Sequence, residues 1–300
     1  MKICRIIFAL SNNNKIVSSM RPIAISHITL YLSLSICACS QTPGEQLAIP
    51  QQTDTAIAPQ APAPAEIPVG AQALIDNYPE FIKGYEENHL LLADGSTLLY
   101  DDQKEKGFIE RMDRPDVEDM FSQPYDTSVW LPARNYDPGR VRNEELMKYM
   151  YGKNEAEARK RLVRVKWFKQ QLLFSSVNGA ADSLKAVAKE LAQLPASYQK
   201  YFDNSSTFYW RTVRGSNRLS AHSFGIAIDI NTKFSDYWRW KNPGKGEEDS
   251  LKYTNRIPKE IIQIFEKHGF ISGARWYHFD TMHFEFRPDL LQASRHQTNN

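Results

Sequence analysis

Two short stretches of strict two-residue alternation limit how this chain can fold. In residues 225–231, Ile226, Ile228 and Ile230 alternate with Ala227, Asp229 and Asn231; in residues 282–287, Met282, Phe284 and Phe286 alternate with His283, Glu285 and Arg287. Side chains along a strand point alternately to its two faces, so each stretch predicts a strand with an apolar face for a core and a polar face for chemistry. Ala227 leaves room beside Asp229, and Gly225 permits a bend that returns His222 over the same face.

His222, Asp229 and His283 then supply two imidazoles and one carboxylate. These are the three protein ligands that a catalytic zinc takes while keeping one position open. Two neutral histidines and one aspartate leave the ion net positive, enough to bring the pKa of a bound water towards about 7. Two nitrogens and one oxygen favour zinc over magnesium or calcium. Asp280, just before the second strand, is the candidate acid that accepts the water's proton and passes it to the leaving amine.

Taken singly, each residue is ordinary: a solitary histidine is usually a core or surface residue, and an aspartate beside a turn is usually a cap. The set carries the reading. Glu285 and Arg287 read as a same-face ion pair and His278 as a hydrogen-bonding partner behind the ligands. Ser220 lacks a nucleophile elbow, and the chain has neither an H-E-x-x-H helix nor an H-x-H pair.

Charge and cysteine content narrow the class. With 37 Lys and Arg against 35 Asp and Glu the net charge is +2, without the basic excess of a nucleic-acid binder. Cys4, Cys37 and Cys39 all lie in the first 39 residues, so the body can hold neither a disulfide framework nor a thiolate metal site. Lys15 and Arg21 precede an apolar run, residues 22–36, too short for a comfortable membrane span, and this predicts an export signal. Ile36-Cys37-Ala38-Cys39 resembles a bacterial lipobox, which implies cleavage before Cys39 and a lipid anchor on it; Ser40, not an acidic residue, follows, which implies the outer membrane. A plain signal peptide or an uncleaved anchor is the alternative.

The expected organisation is a signal segment at 1–39, a Pro/Ala/Gln-rich linker at 40–69, an accessory segment at 70–142 packed on the catalytic domain, the catalytic domain at 143–292 and a tail at 293–300, in a monomer. Leu74, Ile75, Tyr78, Phe81 and Ile82 recur at helical spacing. Asp94-Gly95 suits a hairpin turn between apolar flanks, while residues 104–142 are irregular and aromatic. Asn143 and Asn154 read as helix N-caps, with a helix over 155–168. Leu184, Val187, Ala188, Leu191 and Leu194 form an apolar stripe stopped by Pro195. The last expected helix runs from Pro258 to just before Gly269, with Ile261, Ile264, Phe265 and His268 on one face. The fold class is α+β, a small antiparallel sheet with packed helices. Tyr237, Trp238, Trp240, Trp276 and Tyr277 read as core packing and cleft walls ahead of sugar stacking, and residues 241–249 as a mobile loop at the cleft edge.

Ser220-Ala-His222, Gly225, Ala227 and Asp229 match the S-x-H-x-x-G-x-A-x-D signature of the VanY-like D-alanyl-D-alanine carboxypeptidases, and Asp280-Thr-Met-His283-Phe-Glu285 is similar to their second motif. The resemblance covers about residues 208–291. It implies the small α+β fold shared with the Hedgehog domain, zinc held by His222, Asp229 and His283, and Asp280 as general base where many members have glutamate. It also implies an arginine at the substrate carbonyl, for which Arg211 is the candidate and Arg214, Arg218 and Arg275 are alternatives; Ser220 is a candidate contact to substrate.

The function so implied is hydrolysis of peptidoglycan stem peptides in the cell envelope, by D-alanyl-D-alanine carboxypeptidase activity or by an endopeptidase of the L-alanyl-D-glutamate type. A zinc-stabilised module that binds cell-wall peptides without cutting them is the reading of a different class. The acid at 280 argues against it.

Overall fold

The structure, a computed structural model, describes residues 66–298. The expected export signal, the lipobox at Cys37 and Cys39 and most of the linker lie outside the described residues. Among those described, no helix is long and apolar enough to cross a membrane.

Helix α1 (Val69–Asn77) leads into a meander of β1 (Ile82–Glu86), β2 (His89–Leu92) and β3 (Thr97–Leu99). The expected hairpin between β2 and β3 is present. Asp94 accepts from the backbone and hydroxyl of Ser96 at 3.0 and 2.6 Å and so shapes the turn. Residues 104–142 are largely irregular apart from α2 (Phe108–Asp113) and one 3-10 turn, Glu118–Phe121. Helices α3 (Glu144–Tyr151) and α4 (Glu155–Lys160) start where Asn143 and Asn154 cap them, accepting from Leu146 N at 2.9 Å and Glu157 N at 3.0 Å.

The helix expected over 155–168 stops at Lys160. Leu162–Trp167 is instead a strand, β4, hydrogen-bonded antiparallel to β5 (Gln170–Ser175). Val165 and Trp167, two apart, are fully buried while Arg164 and Lys166 are exposed, which is strand periodicity. Only Ala158 of α4 is buried, so that helix has no apolar face to extend.

Helix α5 (Ala180–Leu191) buries Leu184, Val187 and Leu191 against β4. The remaining elements are β6 (Ala227–Asp229), α6 (Trp238–Lys241), α7 (Lys259–Lys267), β7 (Phe270–Ser272), β8 (His283–Phe286) and α8 (Pro288–Thr298). Helix α7 follows Pro258 as expected and stacks Phe265 on Phe284 of β8 at 3.8 Å between ring centroids. Ile261, Ile262 and Phe265 are its buried residues; Ile264 and His268 are only half-buried.

Helix α7 is not the last helix. Beyond it α8 continues to Thr298, burying Leu290, Leu291 and Ala293 and packing on α1, where Asn77 donates to Gln292 at 2.7 Å. The α+β class stands, but its antiparallel strands form three small sheets, β1-β2-β3, β4-β5 and β6-β8-β7, around one continuous apolar core.

Candidate metal centre

Cross-strand register builds the centre. β6 and β8 pair antiparallel with Asp229 directly opposite His283, so both side chains leave the same face. On its other edge Asp229 exchanges two backbone hydrogen bonds with Ser206, at 2.8 and 2.9 Å, which holds the strand end from both sides. Ile226, Ile228 and Ile230 are fully buried on the opposite face.

His222 arrives by a local device. Ser220 caps a 3-10 turn, Ala221–Phe224, its hydroxyl accepting from His222 N at 3.4 Å, and Gly225 closes the turn at φ +69°. Only glycine takes that conformation without cost, and a Cβ there would also collide with Leu162. The turn brings His222 Nε2 to 3.2 Å from Asp229 Oδ1, while His283 Nδ1 lies 3.1 Å from the same oxygen.

Three donor atoms so placed fit a tetrahedral zinc, whose ligand atoms, each at about 2.0–2.1 Å from the metal, are about 3.3 Å apart. The groups behind the ligands agree. His222 Nδ1 donates to Thr207 O at 2.7 Å, which fixes the ring with Nε2 as the atom directed at Asp229. His283 Nε2 faces Glu285 Oε2 at 3.6 Å, and Arg142 pairs with that carboxylate at 3.0 Å.

The cluster holds its charges against burial. Burial pushes the Asp229 carboxyl up, but His222 and His283 overcome it and hold the group well below the usual carboxylate range. Burial works against a proton on His283, yet hydrogen bonds to Asp229 and Glu285 raise its pKa to about 10. Asp280 moves the other way: burial, reinforced by the charge of Asp229, raises it to about 7. Its Oδ1 is buried without a hydrogen-bond partner, while the residue as a whole is half-buried and lines the cavity.

His222, Asp229, His283, Asp280, Ser220 and Arg211 all line one cavity of about 350 Å³. Arg211 is exposed at its rim and donates to Thr212 O at 3.3 Å; Arg214 and Arg218 line it too. Arg275 does not: it is buried away from the cavity in a two-point pair with Glu266 at 2.8 and 3.0 Å. Ser220 acts on the turn, as the cap of His222. His278 is not placed behind the metal ligands; its ring nitrogens face Asp137 Oδ2 at 2.6 Å and Glu247 O at 2.8 Å. Arg287 pairs chiefly with Asp289 at 2.9 Å and meets Glu285 only at 3.7 Å, so the expected Glu285–Arg287 pair is secondary to Arg142–Glu285.

Trp238, Trp276 and Tyr277 are buried, whereas Trp240 is 55 % exposed at the cavity. The 241–249 loop is tied down through Glu247, which accepts from Arg140 at 3.0 Å and from Arg239 at 3.3 Å. Arg140, Arg142 and Thr207 escaped the sequence reading. The first two follow the turn signature Asp137-Pro138-Gly139, the one signal that could have pointed to them; Thr207 acts through its backbone, which leaves no mark.

No curated protein and no solved structure gives a match to this chain. Residues 214–286, which carry both histidines and both aspartates of the centre, match the family model described as D-alanyl-D-alanine carboxypeptidase.

Proposed function

We propose that the protein is a zinc peptidase of the Hedgehog/DD-peptidase fold that hydrolyses peptidoglycan stem peptides, as a D-alanyl-D-alanine carboxypeptidase. One observation carries the reading: His222, Asp229 and His283 converge within 4.8 Å of one another beside an acid, Asp280, whose pKa is raised to about 7. A zinc ion held by the three ligands would supply Lewis acidity to a water and to the scissile carbonyl. Asp280, its carboxyl raised to about 7 by burial and by the charge of Asp229, would accept the proton of the attacking water and deliver it to the leaving amine. Arg211, at the rim, would donate to the carbonyl oxygen as negative charge develops there.

The proposal extends to the envelope: export by the first 39 residues, a lipid anchor at Cys39, a tether over 40–69 and an outer-membrane position put the site beside its substrate. The test is mass analysis of peptidoglycan fragments incubated with the zinc-loaded chain from Gln41 onward. Loss of a terminal D-alanine by wild type and not by Asp280→Ala is the expected result. Release of a longer stem peptide would replace carboxypeptidase with endopeptidase, and no cleavage by folded, zinc-bound protein would leave a binding module.

A further inference from the structure

Helix α2 buries one residue, Met112, and does not bury it in the protein's apolar core. Met112 borders open space instead. It lines the cavity of the metal centre, a second cavity of about 230 Å³ and a third of about 130 Å³. The other side chains that the first cavity shares with these two are arginines, so among the described residues Met112 is the one uncharged side chain in the shared walls. Core packing does not account for it; its position as a partition does.

α2 is short, yet it is held along its length. Before it, the buried ammonium of Lys106 meets Asp102, Asp116 and Asp119 at 3.0, 2.9 and 2.6 Å. Within it, Phe108 stacks on His278 at 5.5 Å between ring centroids, and Arg111 pairs with Asp119 at 3.2 Å. At its end Asp113 meets Arg218 at 3.3 Å. Displacing the helix would separate buried charges from their partners, so Met112 stands on a fixed backbone. α2 also lies outside residues 214–286, the stretch that matches the family model.

We propose that Met112 is a chain-length stop: it ends the cavity of the metal centre on the α2 side, leaves room for a single residue past the scissile bond, and so makes the site a carboxypeptidase and not an endopeptidase. The stop rests on the peptidase reading and deepens it. Each further extended residue needs about 3.3 Å of chain, and the space for it lies behind Met112.

The probes are mercaptoacetyl-D-alanine and mercaptoacetyl-D-alanyl-glycine, titrated calorimetrically into the zinc-loaded protein. A thiolate is a zinc ligand, so both probes are anchored in one register and differ only in the residue that must pass the stop. Wild type is expected to bind the shorter probe about tenfold or more tighter. Met112→Ala should cut that ratio several-fold by binding the longer probe more tightly, and Met112→Leu, which conserves volume, should keep it. A merely structural role predicts weaker binding of both probes and a gain for neither. Because Met112 lies outside the apolar core, its truncation leaves the core packed.

Turnover gives the second reading. From acetyl-L-lysyl-D-alanyl-D-alanyl-glycine, Met112→Ala should release D-alanyl-glycine and wild type should not. Equal binding of the two probes by wild type, binding of neither, or a ratio unchanged in Met112→Ala would overturn the proposal. If the ratios behave as expected while wild type leaves acetyl-L-lysyl-D-alanyl-D-alanine uncut, the peptidase reading fails and Met112 stands as a length limit on metal-bound ligands.

Discussion

Gly273 lies so close to Asp280 that a Cβ on the glycine would collide with the backbone carbonyl of the aspartate. In return Asp280 N donates to Gly273 O at 3.0 Å, and Asp280 also bridges to Tyr237. The acid is therefore positioned by its backbone from two directions, which leaves its side chain free to face the cavity.

Gly273→Ala must push that backbone aside. A displacement on the order of 1 Å at a reacting group costs roughly 100-fold in rate, and overpacking of this kind costs about 1–3 kcal/mol in stability. The variant is expected to retain its metal, measured by elemental analysis, and to lose turnover. Loss of metal together with activity would place the damage in the ligands instead.

Metal binding should be coupled to proton release. The proton that Asp229 and Glu285 hold on His283, with a pKa near 10, has to leave before the ring can ligate. Zinc affinity is then expected to rise by up to about tenfold per pH unit below that value, for the one proton displaced. Calorimetry in buffers of different ionisation enthalpy counts the proton, and a count of zero would contradict the geometry.

Glu285 makes stability depend on acid pH. Burial favours its neutral form, but Arg142 and His283 hold it to about 2, below the 4.5 of an ordinary glutamate. A depressed folded-state pKa stabilises above the unfolded value and loses that stabilisation as pH falls from about 4.5 through about 2. Arg142→Met strands the carboxylate and is expected to destabilise by about 3–5 kcal/mol at neutral pH. Denaturant titrations should show the gap to wild type narrowing as acid protonates Glu285 in the variant.

The β4 strand can be probed by alternation. Trp167 is fully buried, its indole donating to Ser205 Oγ at 3.0 Å, and Trp167→Ala is expected to cost about 3–5 kcal/mol. Lys166→Ala, on the exposed face, should stay within about 0.5 kcal/mol of wild type. Comparable losses at both positions would mean that the two faces are not distinct.

Local pattern made much of this protein legible. Ile226, Ile228 and Ile230 announced β6; Asn143 and Asn154 announced their helices; Asp229 and His283 stood out because strand alternation puts polar residues on one side, and His222 because Gly225 allows a bend between it and the strand. The failure at 155–168 is local as well: Glu155–Lys160 is a good helix former, and the strand after it became visible only once Val165 and Trp167 had a core to enter. The terminal helix α8 was missed for a similar reason, since its apolar residues acquire meaning from α1, more than two hundred residues earlier.

By itself the sequence determined the candidate ligand types, the strands that carry Asp229 and His283 and the family likeness of residues 214–286, because each depends on residues close together along the chain. Tertiary structure alone decided that Asp229 stands opposite His283, that Thr207 O orients His222 and that Arg140 and Arg142 join the cavity wall. Those contacts span from 15 to about 140 residues of chain. Their physical basis is strand register and close packing, which no local pattern encodes.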